Sequence, residues 1–282
     1  MNKLTNKENK TLIVNDVTAY GRVSSMAMLP VMTAYGLHPY VLPTAIVSNT
    51  MDYGSSVILD TTSFMKDCIS KWKEFGFKFS TIATGFINSA EQVDIVNELI
   101  EVYKPTFLMV DPIMADDGKI YPGMYEGAVT AYRKLTSKSD LIIPNLTEAE
   151  LLTGKYEGQM ILSMEQYDEI IHGLQELGAG NIVITGCKNH DNKTFNLVYD
   201  NQSDQLIAIG YDKLPYSKVG TGDVFSATLL SELLVGSDLF DAVQSAANLV
   251  RKVVIENINN PDNYDINIES TLQEAVYEIR QR

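Results

Sequence analysis

The sequence predicts a single α/β domain, a central and mostly parallel sheet with helices on both faces. Two observations predict it. Short apolar runs rich in β-branched residues alternate with helix-length stretches, which is the rhythm of βαβ units. No Pro- or Ser-rich linker, low-complexity tract or internal repeat breaks that rhythm across 282 residues. Length alone would allow two domains of about 150 residues each. The unbroken alternation favours one domain over 1–282, with residues 1–10 as a flexible N-terminal extension.

The strands read in order as 11–16 (TLIVND), 40–48, 80–85, 106–111, 140–145 and 181–186. Each is short, apolar and bounded by polar residues, as parallel strands covered on both faces must be. Helices are expected near 23–35, 61–75, 89–103, 122–136, 147–153 and 163–177. Residues 195–200 and 205–212 flank a polar Asn-Gln-Ser-Asp turn and read as a hairpin. A helix then opens at Gly220-Thr221-Gly222-Asp223, buries Phe225, Leu229, Leu230, Leu233 and Leu234, and stops at Gly236. Asp238 caps the next helix, whose apolar stripe is Leu239, Ala242, Val243, Ala246, Ala247, Val250, Val253 and Val254. A last helix spans 270–280 with Ser270 as its cap.

The 22 Lys+Arg against 36 Asp+Glu give a net charge of −14. That balance excludes duplex nucleic acid and an anionic membrane surface as main partners. It does not exclude a small anion in one local pocket. Cys68 and Cys187 are far apart with no CxxC pair, which fits a reduced cytoplasmic protein. The polar MNKLTNKENK start has no secretory h-region, and no apolar run is long enough to span a membrane.

Open parallel sheets gather ligands at the carboxyl ends of their strands. Here those ends carry Asp16, Thr84-Gly85, Asp111, Asn145 and Thr185-Gly186. The strongest local signal is Gly220-Thr221-Gly222-Asp223. Two glycines without Cβ let backbone N–H groups approach a ligand, and the helix N-terminus adds donors and partial positive charge. Gly220, Thr221 and Gly222 therefore suit an anion hole for phosphate, and Asp223 is placed to take a proton from an attacking hydroxyl. At its ordinary pKa of about 3.9, Asp223 would be ionised at neutral pH. The same residues also satisfy a plain helix start after a glycine turn. Asp111 and Glu148 could recruit Mg²⁺, which takes one or two carboxylates plus phosphate oxygens and water. Glu148 equally suits helix-start chemistry, with Thr147 or Asn145 as cap. There is no P-loop, no dinucleotide fingerprint after the first strand, no protein-kinase motif set and no G-x-S-x-G elbow.

GTGD opening a helix, VDPIM, PNLTEAELL and the early NDVTAYGRVSS together resemble the ribokinase-like superfamily over about residues 11–257. Ser48 to Gly54 (S-N-x-x-x-Y-G) and Thr84-Gly85-Phe86 narrow the resemblance to the pyridoxal (vitamin B6) kinases, in their bacterial pyridoxamine/pyridoxal branch. The resemblance implies a three-layer α/β/α sandwich and a homodimer. It also implies transfer of the ATP γ-phosphoryl group to the 5′-hydroxymethyl of a B6 vitamer, as in B6 salvage. It makes Asp223 the catalytic base and Gly220–Gly222 the anion hole; Asp111 and Glu148 hold Mg²⁺ and phosphates, and Asn145 and Thr185 line the nucleotide channel. It leaves room for a monovalent cation beside Mg²⁺. The departures fall in the pyridine pocket. Asp16 stands where the family commonly has Ser, Met51 where it has Thr, and Phe86 where a Tyr stacks on the ring; in the nucleotide channel, Ile143 precedes Pro-Asn in place of Thr. Two alternatives share this pattern: a hydroxymethylpyrimidine kinase, and a non-catalytic small-molecule binder on the same fold. Retention of Asp223 argues against the second.

Overall fold

The computed structural model describes residues 10–50, 53–214, 218–258 and 266–272. In chain order these form β1 (Thr11–Thr18), α1 (Ser25–Ala34), β2 (Pro39–Val47), β3 (Ile58–Asp60) and α2 (Thr62–Glu74). There follow β4 (Thr81–Thr84), α3 (Ala90–Tyr103), β5 (Phe107–Val110), β6 (Ala115–Asp116), β7 (Lys119–Ile120) and α4 (Ala128–Thr136). Next come β8 (Leu141–Ile142), α5 (Leu146–Thr153), α6 (Met164–Glu176), β9 (Asn181–Lys188), β10 (Thr194–Asp200) and β11 (Gln205–Gly210). The last two are α7 (Thr221–Val235) and α8 (Leu239–Asn257). The chain forms two compact units, Met1–Phe79 with Leu214–Arg282, and Ser80–Lys213.

In the first unit β1 and β2 pair in parallel, and β3 adds an antiparallel edge to β2. The β1–β2 register shifts between Asn15 and Val17. Asn15 faces Pro43 and Val17 faces Ile46, so β2 carries an extra residue beside Asp16. Such irregularities re-aim a side chain at the end of a ladder. Helix α7 is buried along Val224–Leu234, as a helix apolar on nearly all sides must be. Its one buried carboxylate in that run, Glu232, accepts hydrogen bonds from the hydroxyls of Tyr35 (2.9 Å) and Ser237 (2.5 Å). Helix α8 starts where expected, with Asp238 accepting from the Asp241 N–H. Its buried stripe takes in Leu249, while Ala247 and Val250 are only half-buried.

In the second unit the strand order is β11-β10-β9-β8-β5-β4. β4, β5, β8 and β9 are parallel neighbours, and β9, β10 and β11 are antiparallel, which includes the expected hairpin. Three expectations change here. The helix expected over 122–136 begins only at Ala128, because Gly123 and Gly127 adopt positive φ (84° and 85°) ahead of it. The strand expected over 140–145 keeps only Leu141–Ile142 in its ladder, since Pro144 has no N–H to give and Asn145 turns to cap α5. An unforeseen hairpin, β6–β7, closes on Asp117-Gly118, both at positive φ (47° and 73°). An Asp-Gly pair between two short strands is the usual sequence for that turn.

The helix expected over 270–280 falls mostly outside the described residues, as do residues 1–9 of the N-terminal extension. Ser270 lies within the helical stretch Glu269–Leu272 rather than before it, and its hydroxyl donates to Glu256.

Candidate active site

In the first unit the end of β1 and the start of α7 supply two carboxylates. Asp16 is buried, and its Oδ2 accepts from the Thr18 hydroxyl at 3.1 Å. The Ser24 hydroxyl is a second partner. Burial raises the Asp16 pKa, and those hydrogen bonds partly oppose the rise. Asp223 lies in the first turn of α7, where its carboxylate is held by the Ser24 N–H and the Asn15 side-chain amide. Its pKa is pushed up to about 7, first by burial and then by the charge of Asp16. The ordinary, fully ionised Asp223 expected from sequence is thereby corrected: desolvation holds it near the midpoint of titration at neutral pH.

Ser24 therefore serves both carboxylates, and it does so from φ 52°, ψ −137°. That backbone state is uncommon for a residue with a Cβ, and such strain concentrates at functional loops.

Gly220 caps α7 in the left-handed region at φ 89°. A Cβ there would meet the Arg22 carbonyl oxygen at 2.1 Å, so only glycine lets the two backbones approach. The Thr221 hydroxyl donates to the Lys218 carbonyl at 2.9 Å and fixes the entry turn. A Cβ on Gly222 would meet nothing within 4 Å. The first-turn N–H groups of Thr221 and Gly222 have no intrahelical carbonyl to bond. Open space beside helix-start donors is what an anion hole needs.

In the second unit Asn145, three residues past β8, and Thr185, within β9, are joined by a parallel bridge. Asn145 and Glu148 form a capping box. The Asn145 Oδ1 accepts the Glu148 N–H and Glu148 Oε2 accepts the Asn145 N–H, both at 2.9 Å. Glu148 Oε1 also accepts from the backbone N–H groups of Met114 (3.0 Å) and Ala115 (3.3 Å). The Asn145 amide donates to the Ala115 carbonyl at 2.7 Å. Helix-start chemistry thus does operate at Glu148, with Asn145 as the cap. Burial, then the Asp111 charge, pushes the Glu148 carboxyl well above its usual range, while the three amides act the other way.

A divalent cation fits this pair. Two carboxylates that raise each other's energy gain from a positive ion, and Glu148 Oε2, with one N–H donor, keeps a free lone pair. Among the described residues no group of three or more His, Cys, Asp or Glu gathers around one point. Mg²⁺ needs only one or two protein carboxylates, its remaining ligands being water and phosphate oxygens.

Phe86 is half-buried, between buried Gly85 and Ile87. Met51 lies outside the described residues. Sequence reasoning missed Asn15 and Ser24 as partners of Asp223, and Tyr132, whose hydroxyl bonds the backbone of residues 85, 87 and 113. The Asn-Asp pair at 15–16 was a signal for the first. Nothing local marked the other two.

Among the described residues no helix is long and apolar enough to cross a membrane. A pyridoxine/pyridoxal/pyridoxamine kinase of Bordetella avium is 28% identical over 247 residues, covering 83% of this chain and 80% of its own length. The solved pyridoxal kinase of Lactobacillus plantarum superposes with a TM-score of 0.88 at 27% identity, covering 98% of this chain and 99% of its own. A Bacteroides thetaiotaomicron protein assigned as a phosphomethylpyrimidine kinase, in its form with pyridoxal, superposes with a TM-score of 0.87 at 27% identity, covering 96% of each chain. These likenesses bear out the three-layer α/β fold with its mostly parallel central sheet. The phosphomethylpyrimidine kinase profile matches residues 26–265. The chain belongs to the phosphomethylpyrimidine kinase family, within the ribokinase-like superfamily that its motifs announced.

Proposed function

We propose that this chain phosphorylates the 5′-hydroxymethyl group of a B6 vitamer, pyridoxal, pyridoxamine or pyridoxine, with ATP as donor. The observation that carries the reading is Asp223, raised to about 7 in the first turn of a helix with open space beside Gly222. A base poised near working pH is half available and still a competent proton acceptor. The names of the relatives, and the form with pyridoxal, support the substrate class.

In the reaction Asp223 accepts the hydroxymethyl proton as that oxygen attacks the γ-phosphorus. The bond from that phosphorus to the bridging oxygen breaks, and ADP leaves. The Thr221 and Gly222 N–H groups stabilise the negative charge on the transferring phosphoryl oxygens, in a step that is mostly positioning and electrostatics. Asp111 and Glu148 would hold Mg²⁺, which would neutralise phosphate charge when bound. Asn145 and Thr185 border the nucleotide. The resemblance would assign Asp16 to a polar substituent of the pyridine and Phe86 to stacking on its ring. One domain, a cytoplasmic location and a homodimer complete the reading.

A second reading, hydroxymethylpyrimidine kinase, is favoured by a Bacillus subtilis hydroxymethylpyrimidine/phosphomethylpyrimidine kinase, 29% identical over 174 residues. Turnover of the three vitamers and of hydroxymethylpyrimidine with Mg²⁺-ATP separates the two. Phosphorylated vitamer is expected; product from the pyrimidine alone would overturn the first reading.

A further inference from the structure

One hydroxyl ties two loops of the second unit together. Tyr132 projects from α4 with no solvent exposure. Its oxygen accepts the Ile87 N–H at 3.2 Å. Its proton is shared between the carbonyls of Gly85 (3.1 Å) and Ile113 (3.3 Å). Gly85 and Ile87 straddle Phe86, so this contact fixes the peptide planes on both sides of that aromatic residue. Ile113 follows Asp111-Pro112, and the proline ring locks the φ between them. The next two residues, Met114 and Ala115, are held by Glu148 and Asn145. Burial raises the Tyr132 pKa, so the phenol stays protonated and keeps both roles, donor and acceptor.

We propose that Tyr132 is a positioning residue that sets the Phe86 loop and the Asp111–Ala115 loop as one unit, so that vitamer and Mg²⁺ affinities depend on a single hydroxyl. The assignment of Phe86 to the vitamer and Asp111 to the metal rests on the function proposed above; the linkage between the loops does not.

The test is Tyr132→Phe, which keeps the ring and removes the hydroxyl. Tyr167→Phe is the control, another buried tyrosine whose hydroxyl bonds the Lys188 backbone, at 2.8 and 3.0 Å, and the Cys187 thiol, and neither loop. In the ligand-free protein, amide exchange at Ile87 and at Met114 and Ala115 should speed up together, by about tenfold or more, in Tyr132→Phe only. The pyridoxal KM and the Mg²⁺ half-saturation should both rise by about fivefold or more, while the control moves neither beyond about twofold. Faster exchange in one loop alone, or unchanged KM and Mg²⁺ dependence with both loops loosened, would overturn the proposal. If the wild type turns over no vitamer, the functional reading fails and the exchange result alone decides the linkage. If Tyr132→Phe does not fold, wild-type protein with Mg²⁺ and a non-hydrolysable ATP analogue replaces it: exchange at Ile87 must slow, and an unchanged rate sinks the linkage.

Discussion

The negative charge of Asp16 acts on Asp223, raising its pKa beyond what burial alone would do. Removing that charge should therefore lower the pKa of the base. In Asp16→Asn the acid limb of the kcat/KM profile, expected near pH 7 in the wild type, should shift to lower pH. A pH series from acid to mildly alkaline conditions measures this. A limb that stays in place, or moves up, contradicts the coupling.

The same carboxylate should lower stability at alkaline pH. Its unfolded pKa is about 3.9. In the fold it is raised to about 7. Between those values the folded state holds more protons than the unfolded state, so stability falls as pH rises through that window. Asp223→Asn removes the buried charge and should raise Tm at pH 8 by about 2–4 °C, a gain that disappears below pH ~4. Thermal melts at the two pH values check it. Asp223→Ala should lower kcat by at least ~100-fold with nucleotide binding kept.

Gly220 and Gly222 should respond to alanine in opposite ways. Gly220→Ala forces a Cβ to within 2.1 Å of the Arg22 carbonyl oxygen at φ 89°, so folding and activity should fall together. Gly222→Ala places its methyl in open space within a helix, so Tm should hold or rise slightly. Its kcat should nonetheless fall by about 10²-fold, since the methyl occupies the approach of the phosphoryl oxygens. Paired melts and assays decide; an active Gly222→Ala variant would remove it from the anion hole.

Asp111→Asn relieves the repulsion that raises Glu148. Without Mg²⁺ its Tm should match or exceed that of the wild type, while its Mg²⁺ half-saturation should rise about tenfold or more. Magnesium titrations of activity and of Tm are the measurements. A wild-type Mg²⁺ response in the variant would dissociate Asp111 from the metal.

What the sequence disclosed was local. GTGD announced a glycine-capped helix start because φ and missing Cβ atoms are properties of single residues. Helix-start chemistry at Glu148 was legible, with Thr147 or Asn145 as cap, because capping hydrogen bonds span only a few positions; the structure selects Asn145. The strand cores showed through their apolar, β-branched runs. Ser24 and Tyr132 stayed hidden because their importance comes from partners distant in the chain, Asp223 for one and Gly85 and Ile113 for the other. The raised Asp223 pKa was hidden for the same reason, since burial is a property of the fold. The late start of α4 was legible in principle in Gly123 and Gly127, which the expected helix over 122–136 ran through.

Ser24 holds Asp16 with its hydroxyl and Asp223 with its N–H, from a backbone state that favours glycine. This confines the position to a narrow mutational corridor. Glycine would relax the backbone but strip Asp16 of a donor. Alanine would keep the strain and lose the donor as well. Asparagine's tolerance of positive φ belongs to the αL region and not to ψ −137°, and its side chain would have to fit beside two acids. Drift at this site is thus blocked from both sides, by conformation in one direction and by hydrogen bonding in the other, and a library of all substitutions at position 24 should return serine almost alone.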